Sequence, residues 1–411
     1  MKKCYAKLLA GISILALSSG VIGCGSVQEA ADTAVEDTAK PAEEAAETAA
    51  EPEKAEAVES SMDEIKIAMV NPLSGDLALY GLDQQRAMTL AFDEINESGG
   101  VYGAKIVMDC YDDLGDPQNS AKGAQKYADS DDYLAIVGSS TSSSILAMIP
   151  IIDDAEIVEM VCSGSSPSLS GTSEYFYRFA AQDVQVGKMI GKGIVDRGYK
   201  NAVVLYPNND YGINLSENLN AYLEENGIEI LDSIDYTQSD QDFTAIITTI
   251  KGLNPEAIAL CGTVTDSSLL ISQIRQQGIE SFLMGGNSIY NANAVDIAGE
   301  ALEGVGCVSV YISTNPDSQV QEFVKKYEDK YGETPDAYSA MGYDMAYSFA
   351  DACKRAMEEN GGEVTRSTLR DELETINYDG VTGDITFNDT HDWVRDYIML
   401  EYKDGEFVLT D

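Results

Sequence analysis

The stretch at residues 65–100, IKIAMVNPLSGDLALYGLDQQRAMTLAFDEINESGG, limits the possible folds more than any other. It opens as a near-continuous apolar run (Ile65, Ile67, Ala68, Met69, Val70), the pattern of a strand buried on both faces of a parallel sheet. Asn71, Pro72, Ser74 and Gly75 suit neither a strand nor a helix interior, so the chain must turn at the carboxyl end of that strand. From Leu79 the apolar spacing becomes helical, and Gly99 and Gly100 stop the helix. One strand, one loop at its carboxyl end and one crossover helix make the repeating unit of a doubly wound α/β domain.

The same grammar returns in NAVVLYPNNDYGINLSENLNAYLEENG: apolar strand, polar loop, a Tyr-Gly pair (Tyr211, Gly212, as Tyr80, Gly81 before), amphipathic helix and glycine stop. A second start predicts a second lobe. Strands are predicted at 65–71, 104–110, 134–138, 157–161, 202–206, 228–235, 257–261, 282–285 and 305–312, with helices between them. Helices at 316–331, 337–359 and 366–376 and strands near 383–388 and 394–402 follow. Alternation on this scale fits two sheets better than one, and 411 residues are enough for two cores. The fold class expected is α/β, with two doubly wound parallel-sheet lobes of residues 64–180 plus 314–378 and 181–313 plus 379–411. Crossings at 177–185, 311–316 and 376–383 would form a three-segment hinge.

The ends of the chain carry different signals. Lys2, Lys3 and Lys7 precede the short apolar run LLAGISILAL, an export signal over residues 1–23 that is too short to span a bilayer as an anchor. It ends in VIGC, which resembles a lipobox and implies lipidation of Cys24; the plainer alternative is an ordinary signal peptide with a fortuitous cysteine. Residues 24–62 are mostly Ala, Glu, Thr, Asp, Pro and Lys and read as a disordered acidic tether between membrane and folded body.

Composition removes several function classes. With 26 Lys plus Arg against 70 Asp plus Glu, the formal net charge is −44, which repels phosphate backbones and argues against nucleic-acid binding. No GxxxxGK[ST], no GxGxxG after a strand and no GxSxG is present, and His391 is the only histidine. The seven cysteines show no CxxC or Cys/His pairing and the Asp pairs have no EF-hand spacing, so no metal and no cofactor is expected; a disulfide stays open. No feature calls for an enzyme.

Two loops have the chemistry of a binding site. VGSSTSSSILAM places Ser139–Ser144 where a helix begins after a buried strand, exposing hydroxyls and backbone amides that favour a carboxylate. VCSGSSPSLS offers Ser163, Ser165 and Ser166 after the next strand. Each alone also reads as helix capping; paired at neighbouring strand ends they suit a clamp for one small acidic group.

These stretches, together with DDLGDPQNSAKGAQKY, VVLYPNNDYG, DFTAIITTIKGLNPEAIALCG, DAYSAMGYDMAYSF and VTGDITFNDTHD, resemble the leucine/isoleucine/valine-binding proteins across roughly residues 64–402. The resemblance implies a type I periplasmic-binding fold and a ligand carboxylate held at Ser142 and the Ser163–Ser165 segment. Tyr211 would close over the ligand, with Tyr80 and Tyr338 as further pocket aromatics. The chain departs from the pattern at MGGNS: Asn287 stands where relatives commonly carry a carboxylate for the ligand's ammonium group. Asp266, in CGTVTDSS, is the alternative acid; otherwise the ligand is a carboxylic acid, an amide or a urea-like solute without a free amine. The implied function is a lipid-anchored, extracytoplasmic, monomeric solute-binding protein. It would present a branched-chain or other amino acid to an ABC permease. A ligand sensor of the same fold for a membrane receptor would carry the same signature.

Overall fold

The computed structural model describes residues 59–180 and 182–410; the export signal, Cys24 and the tether up to residue 58 lie outside them. The first sheet is built as the opening stretch predicts. Strand β1 (Glu64–Asn71) leads through a loop into helix α1 (Ala78–Glu97). Then come β2 (Lys105–Asp112), α2 (Pro117–Ala128), β3 (Tyr133–Val137), α3 (Ser142–Ala155), β4 (Val158–Val161) and the short β5 (Phe176–Arg178). All pairs are parallel and the order is β2-β1-β3-β4-β5. Strand β1 shows why its run is apolar on both parities: Ile65, Ile67 and Met69 enter one core while Ala68 and Val70 enter the other.

The second sheet repeats this plan. Helix α4 (Asp183–Asp196) is followed by β6 (Asn201–Pro207), α5 (Asp210–Glu225), β7 (Glu229–Tyr236) and α6 (Thr244–Leu253). Then come β8 (Ala257–Leu260), α7 (Val264–Gln276), β9 (Phe282–Gly285), α8 (Ala292–Ala298) and β10 (Gly306–Ser309). Its parallel part runs β7-β6-β8-β9-β10, the same winding as the first sheet with the chain reversing direction beside the first strand of the lobe. In each sheet that reversal opens a crevice at the carboxyl ends of the strands.

The chain then returns. Helices α9 (Ser318–Tyr331), α10 (Ala337–Glu359) and α11 (Arg366–Glu374) join the first lobe: α10 packs along α1, and Lys326 and Lys330 of α9 pair with Glu94 and Asp93 of α1 at 3.0 and 2.6 Å. The two-stranded ribbon β11 (Tyr378–Gly380) and β12 (Gly383–Ile385) follows, and β13 (Ile398–Lys403) and β14 (Glu406–Leu409) add an antiparallel edge to the second sheet.

The crossings differ in extent from the sequence expectation. The first is shorter than 177–185, because residues 176–178 still pair with β4 and α4 begins at Asp183. The third, expected at 376–383, continues to 397. Within it Phe387 packs on Tyr177 and Phe179, and His391 stacks on Tyr177 at 4.4 Å, so this stretch lies against the edge of the first sheet. Polar bonds lace the crossings together. Arg178, wholly buried, pairs with Asp392 at 2.5 Å; Arg395 donates to the carbonyls of Val310 and Thr382, both at 2.6 Å; the Gln182 amide donates to the Tyr397 hydroxyl at 3.2 Å. The lobes also touch directly, through the Val264 amide donating to the Tyr80 hydroxyl at 3.0 Å and Asn291 donating to Asp336 at 2.6 Å. The cleft is closed.

Candidate functional site

Between the lobes lies a cavity of about 170 Å³, walled by loops at the carboxyl ends of both sheets. That is smaller than the ~300–1,000 Å³ of sites for drug-sized molecules and fits a small metabolite. From the first lobe it is lined by Leu77 and Tyr80 after β1, Ser140–Ser143 after β3, Cys162–Ser165 after β4 and Ala180 after β5. The second lobe contributes Asn209 and Tyr211 after β6, Gln238 after β7, Thr263 after β8 and Asn287 after β9. Tyr338, in the first turn of α10, completes the wall, its ring edge-on to Tyr80 at 4.8 Å.

The two Tyr-Gly pairs have one structural cause. A Cβ on Gly81 would lie 2.0 Å from the Pro72 carbonyl oxygen, and one on Gly212 would lie 2.1 Å from that of Pro207. Each helix therefore starts pressed against the end of the strand before it, which only glycine permits. The preceding tyrosine is thereby held at the cavity. Burial pushes the Tyr80, Tyr211 and Tyr338 hydroxyls well above the ordinary tyrosine range, so all three are neutral and present a ring face plus one polar atom.

The serine loops are wired from behind. Ser140 donates to Asn71 Oδ1 at 2.9 Å, Asn71 Nδ2 to Gln84 Oε1 at 3.1 Å, and Gln84 Nε2 to Ser163 Oγ at 3.1 Å. On the other loop the Ser166 amide donates to Ser142 Oγ at 3.3 Å. A serine oxygen that already accepts one bond keeps its own O–H to donate. Ser142 and Ser163, both on the cavity wall, thus each keep an O–H free to donate, beside the opening amides of α3, whose N-cap Thr141 accepts from Ser144. Donors converging at a helix N-terminus make an anion site. Arg178 adds rigidity, donating to the Gly164 and Ser166 carbonyls at 3.2 and 2.8 Å and so pinning the second serine loop to the hinge.

Of the residues singled out from sequence, Tyr80, Ser142, Ser163, Ser165, Tyr211, Asn287 and Tyr338 line this one cavity. Asp266 does not. It falls in the first turn of α7 on the inward face, where the Tyr236 hydroxyl donates to it at 2.5 Å and Thr263 also bonds to it; Thr263 takes the place at the wall. Sequence reading also passed over Asn209, legible as the N-cap of α5, and Gln238, which carries no local signal. Asn71, Gln84 and Arg178 act from behind the wall. A polar residue inside an apolar strand was the available clue for Arg178. Cys110, Cys162, Cys261, Cys307 and Cys353 are all free thiols, so the disulfide left open is not formed among the described residues.

Comparison with known proteins agrees with this fold. The periplasmic binding protein family matches residues 64–406. The leucine-, isoleucine-, valine-, threonine- and alanine-binding protein of Pseudomonas aeruginosa is 27% identical over 361 residues, covering 83% of this chain and 93% of that protein. The branched-chain amino acid transporter substrate-binding protein LivJ of Streptococcus pneumoniae, solved with isoleucine, superposes with a TM-score of 0.78 at 25% identity, over 84% of this chain and 99% of its own. A solute-binding protein from R. palustris solved with benzoate shares the fold, with a TM-score of 0.78 at 21% identity over 84% of this chain and 95% of its own. The chain belongs to the periplasmic binding protein family, with the type I fold and among the relatives of the leucine/isoleucine/valine-binding proteins.

Proposed function

We propose that this protein is the extracytoplasmic solute receptor of an ABC importer, capturing a branched-chain or other small amino acid between its lobes and presenting it to a permease. The observation that carries the reading is the pair of hydroxyls on Ser142 and Ser163. Each is committed from behind as an acceptor and so left to donate to a carboxylate at the start of α3. The first lobe would hold that carboxylate while Tyr211, Asn209 and Thr263 of the second lobe cover the rest of the solute, so both lobes grip it only when the cleft is closed. Cys24 would carry the lipid that keeps the receptor at the membrane.

Thermal unfolding against a panel of amino acids, short acids and amides tests the reading, because a solute bound to the folded form alone raises the midpoint. At 100 times its dissociation constant a ligand adds about 2.7 kcal/mol of stability. One or more small amino acids should produce such a shift, and a panel with no shift at all contradicts the proposal.

A further inference from the structure

The cavity wall carries no charged side chain among the described residues, yet one acidic group stands close behind it. Asp183 opens α4 on the first crossing; it is wholly buried, and neither carboxylate oxygen meets a partner in good hydrogen-bonding geometry, the Ser165 hydroxyl being the polar group that bears on it. Its backbone amide donates to the carbonyl of Ser165, a wall residue, at 2.9 Å. Its charge also bears on the hydroxyls of Tyr211 and Tyr338, two further wall residues from other elements. Of the buried carboxylates with both oxygens unpartnered, Glu159 is the other, and it sits in β4 inside the core of the first lobe. Of these two, only Asp183 lies next to a wall residue, through its backbone bond to Ser165.

A buried carboxylate without a partner is costly, and such a group in a folded protein calls for an explanation. Service as a helix-start acid explains part of it, but a capping side chain would accept backbone amides, and this one accepts none. The other acids nearby are already bonded: Asp266 to Tyr236 and Thr263, Asp336 to Asn291 and the Ser339 amide. Asn287 is an amide and cannot neutralise a cation.

We propose that Asp183 is the counter-charge for an ammonium group on the solute, so that this hinge residue, rather than Asn287 or Asp266, makes the site select an amino acid over the corresponding simple acid. This rests on the solute-receptor reading above. The carboxylate end of the ligand lies against the α3 terminus and Ser142. The ammonium end is drawn to the Ser165 side of the cavity, where it adds to the partial compensation that the Ser165 hydroxyl and Arg178 give the Asp183 charge. Burial pushes the Asp183 carboxyl up to about 7, offset in part by the Ser165 hydroxyl and the Arg178 charge.

Titration calorimetry of the protein with L-leucine, L-valine and L-alanine, each against the same skeleton without its ammonium group (4-methylpentanoate, 3-methylbutanoate, propanoate), tests the assignment. Removing one member of a buried charge pair predicts that an amino acid binds roughly 30-fold or more tightly than its deaminated partner. Asp183→Asn should bring that ratio close to one while leaving the acid's affinity unchanged or improved. Should Asp183→Asn fail to fold, the wild-type ratios decide alone. An acid that binds wild-type protein as tightly as its amino acid, or a ratio that Asp183→Asn leaves untouched, overturns the assignment while the solute-receptor reading stands. If none of the six binds, the amino-acid reading itself fails and the assignment falls with it.

Discussion

At the scale of single residues, the site depends on polar side chains that never meet the solute. Asn71 accepts from the Ser140 hydroxyl, Gln84 donates to Ser163 Oγ, and Arg178 holds the second serine loop to the hinge. Arg178 is also the most exacting residue in the chain. Its guanidinium is fully buried and satisfied by Asp392, two carbonyls and Ser170. Arg178→Met would leave Asp392 buried without its cation, and breaking a pair in this way costs about 3–5 kcal/mol. Urea denaturation should show that loss for Arg178→Met and a much smaller one for Arg178→Met combined with Asp392→Leu. Equal losses for the single and double variants would mean that packing, not charge, sets the cost. These residues were hard to read in the sequence for one reason: their partners lie far along the chain, Asp392 being 214 positions from Arg178. The wall residues fared better, because serines at a strand end and a tyrosine before a glycine are local patterns.

At the scale of elements, the wound strands and helices were legible down to the four residues of β9, expected at 282–285 as found, while some three-residue and edge strands were not. Strand β1 has enough alternation to show both of its buried faces, and both helix starts repeat one pattern. Strands β5 and β11 have three residues each, too few to establish a period, and β14 is a half-exposed edge, whereas β12 and β13 fall in the strands expected near 383–388 and 394–402. The ends of the first and third crossings shifted accordingly. Strand β4 carries an anomaly of its own. Glu159 lies between Ile136 and Phe176 on the adjacent strands with no partner for either oxygen, and burial, reinforced by Asp153, pushes its carboxyl well above the ordinary range. The folded form therefore keeps a proton that the unfolded chain releases near pH ~4.3. Its contribution is full below that pH and is lost as pH rises towards the folded value. Glu159→Gln removes the linkage. Denaturation at pH 4, 5 and 6 should show the variant gaining on wild type by up to about 1.4 kcal/mol per pH unit. Parallel stability curves would show that Glu159 ionises freely in the fold.

At the scale of the whole molecule, two equally wound sheets present the carboxyl ends of their strands to one another, joined by three crossings that polar bonds lace together. This was readable in the sequence because the strand, loop and Tyr-Gly unit occurs twice. The length of the third crossing was not, since it is held by Arg178, Arg395 and Asp344, whose partners only folding brings near. The central claim is that one solute is gripped from both sides, and the direct measurement is titration calorimetry with the tightest amino acid of the panel on wild type, Ser142→Ala and Tyr211→Ala. One site per chain is predicted, with each substitution weakening binding about tenfold or more, the loss of a charge-assisted bond in the first lobe and of a buried ring in the second. Binding that survives either substitution unchanged would show a solute held by one lobe alone and would contradict the account.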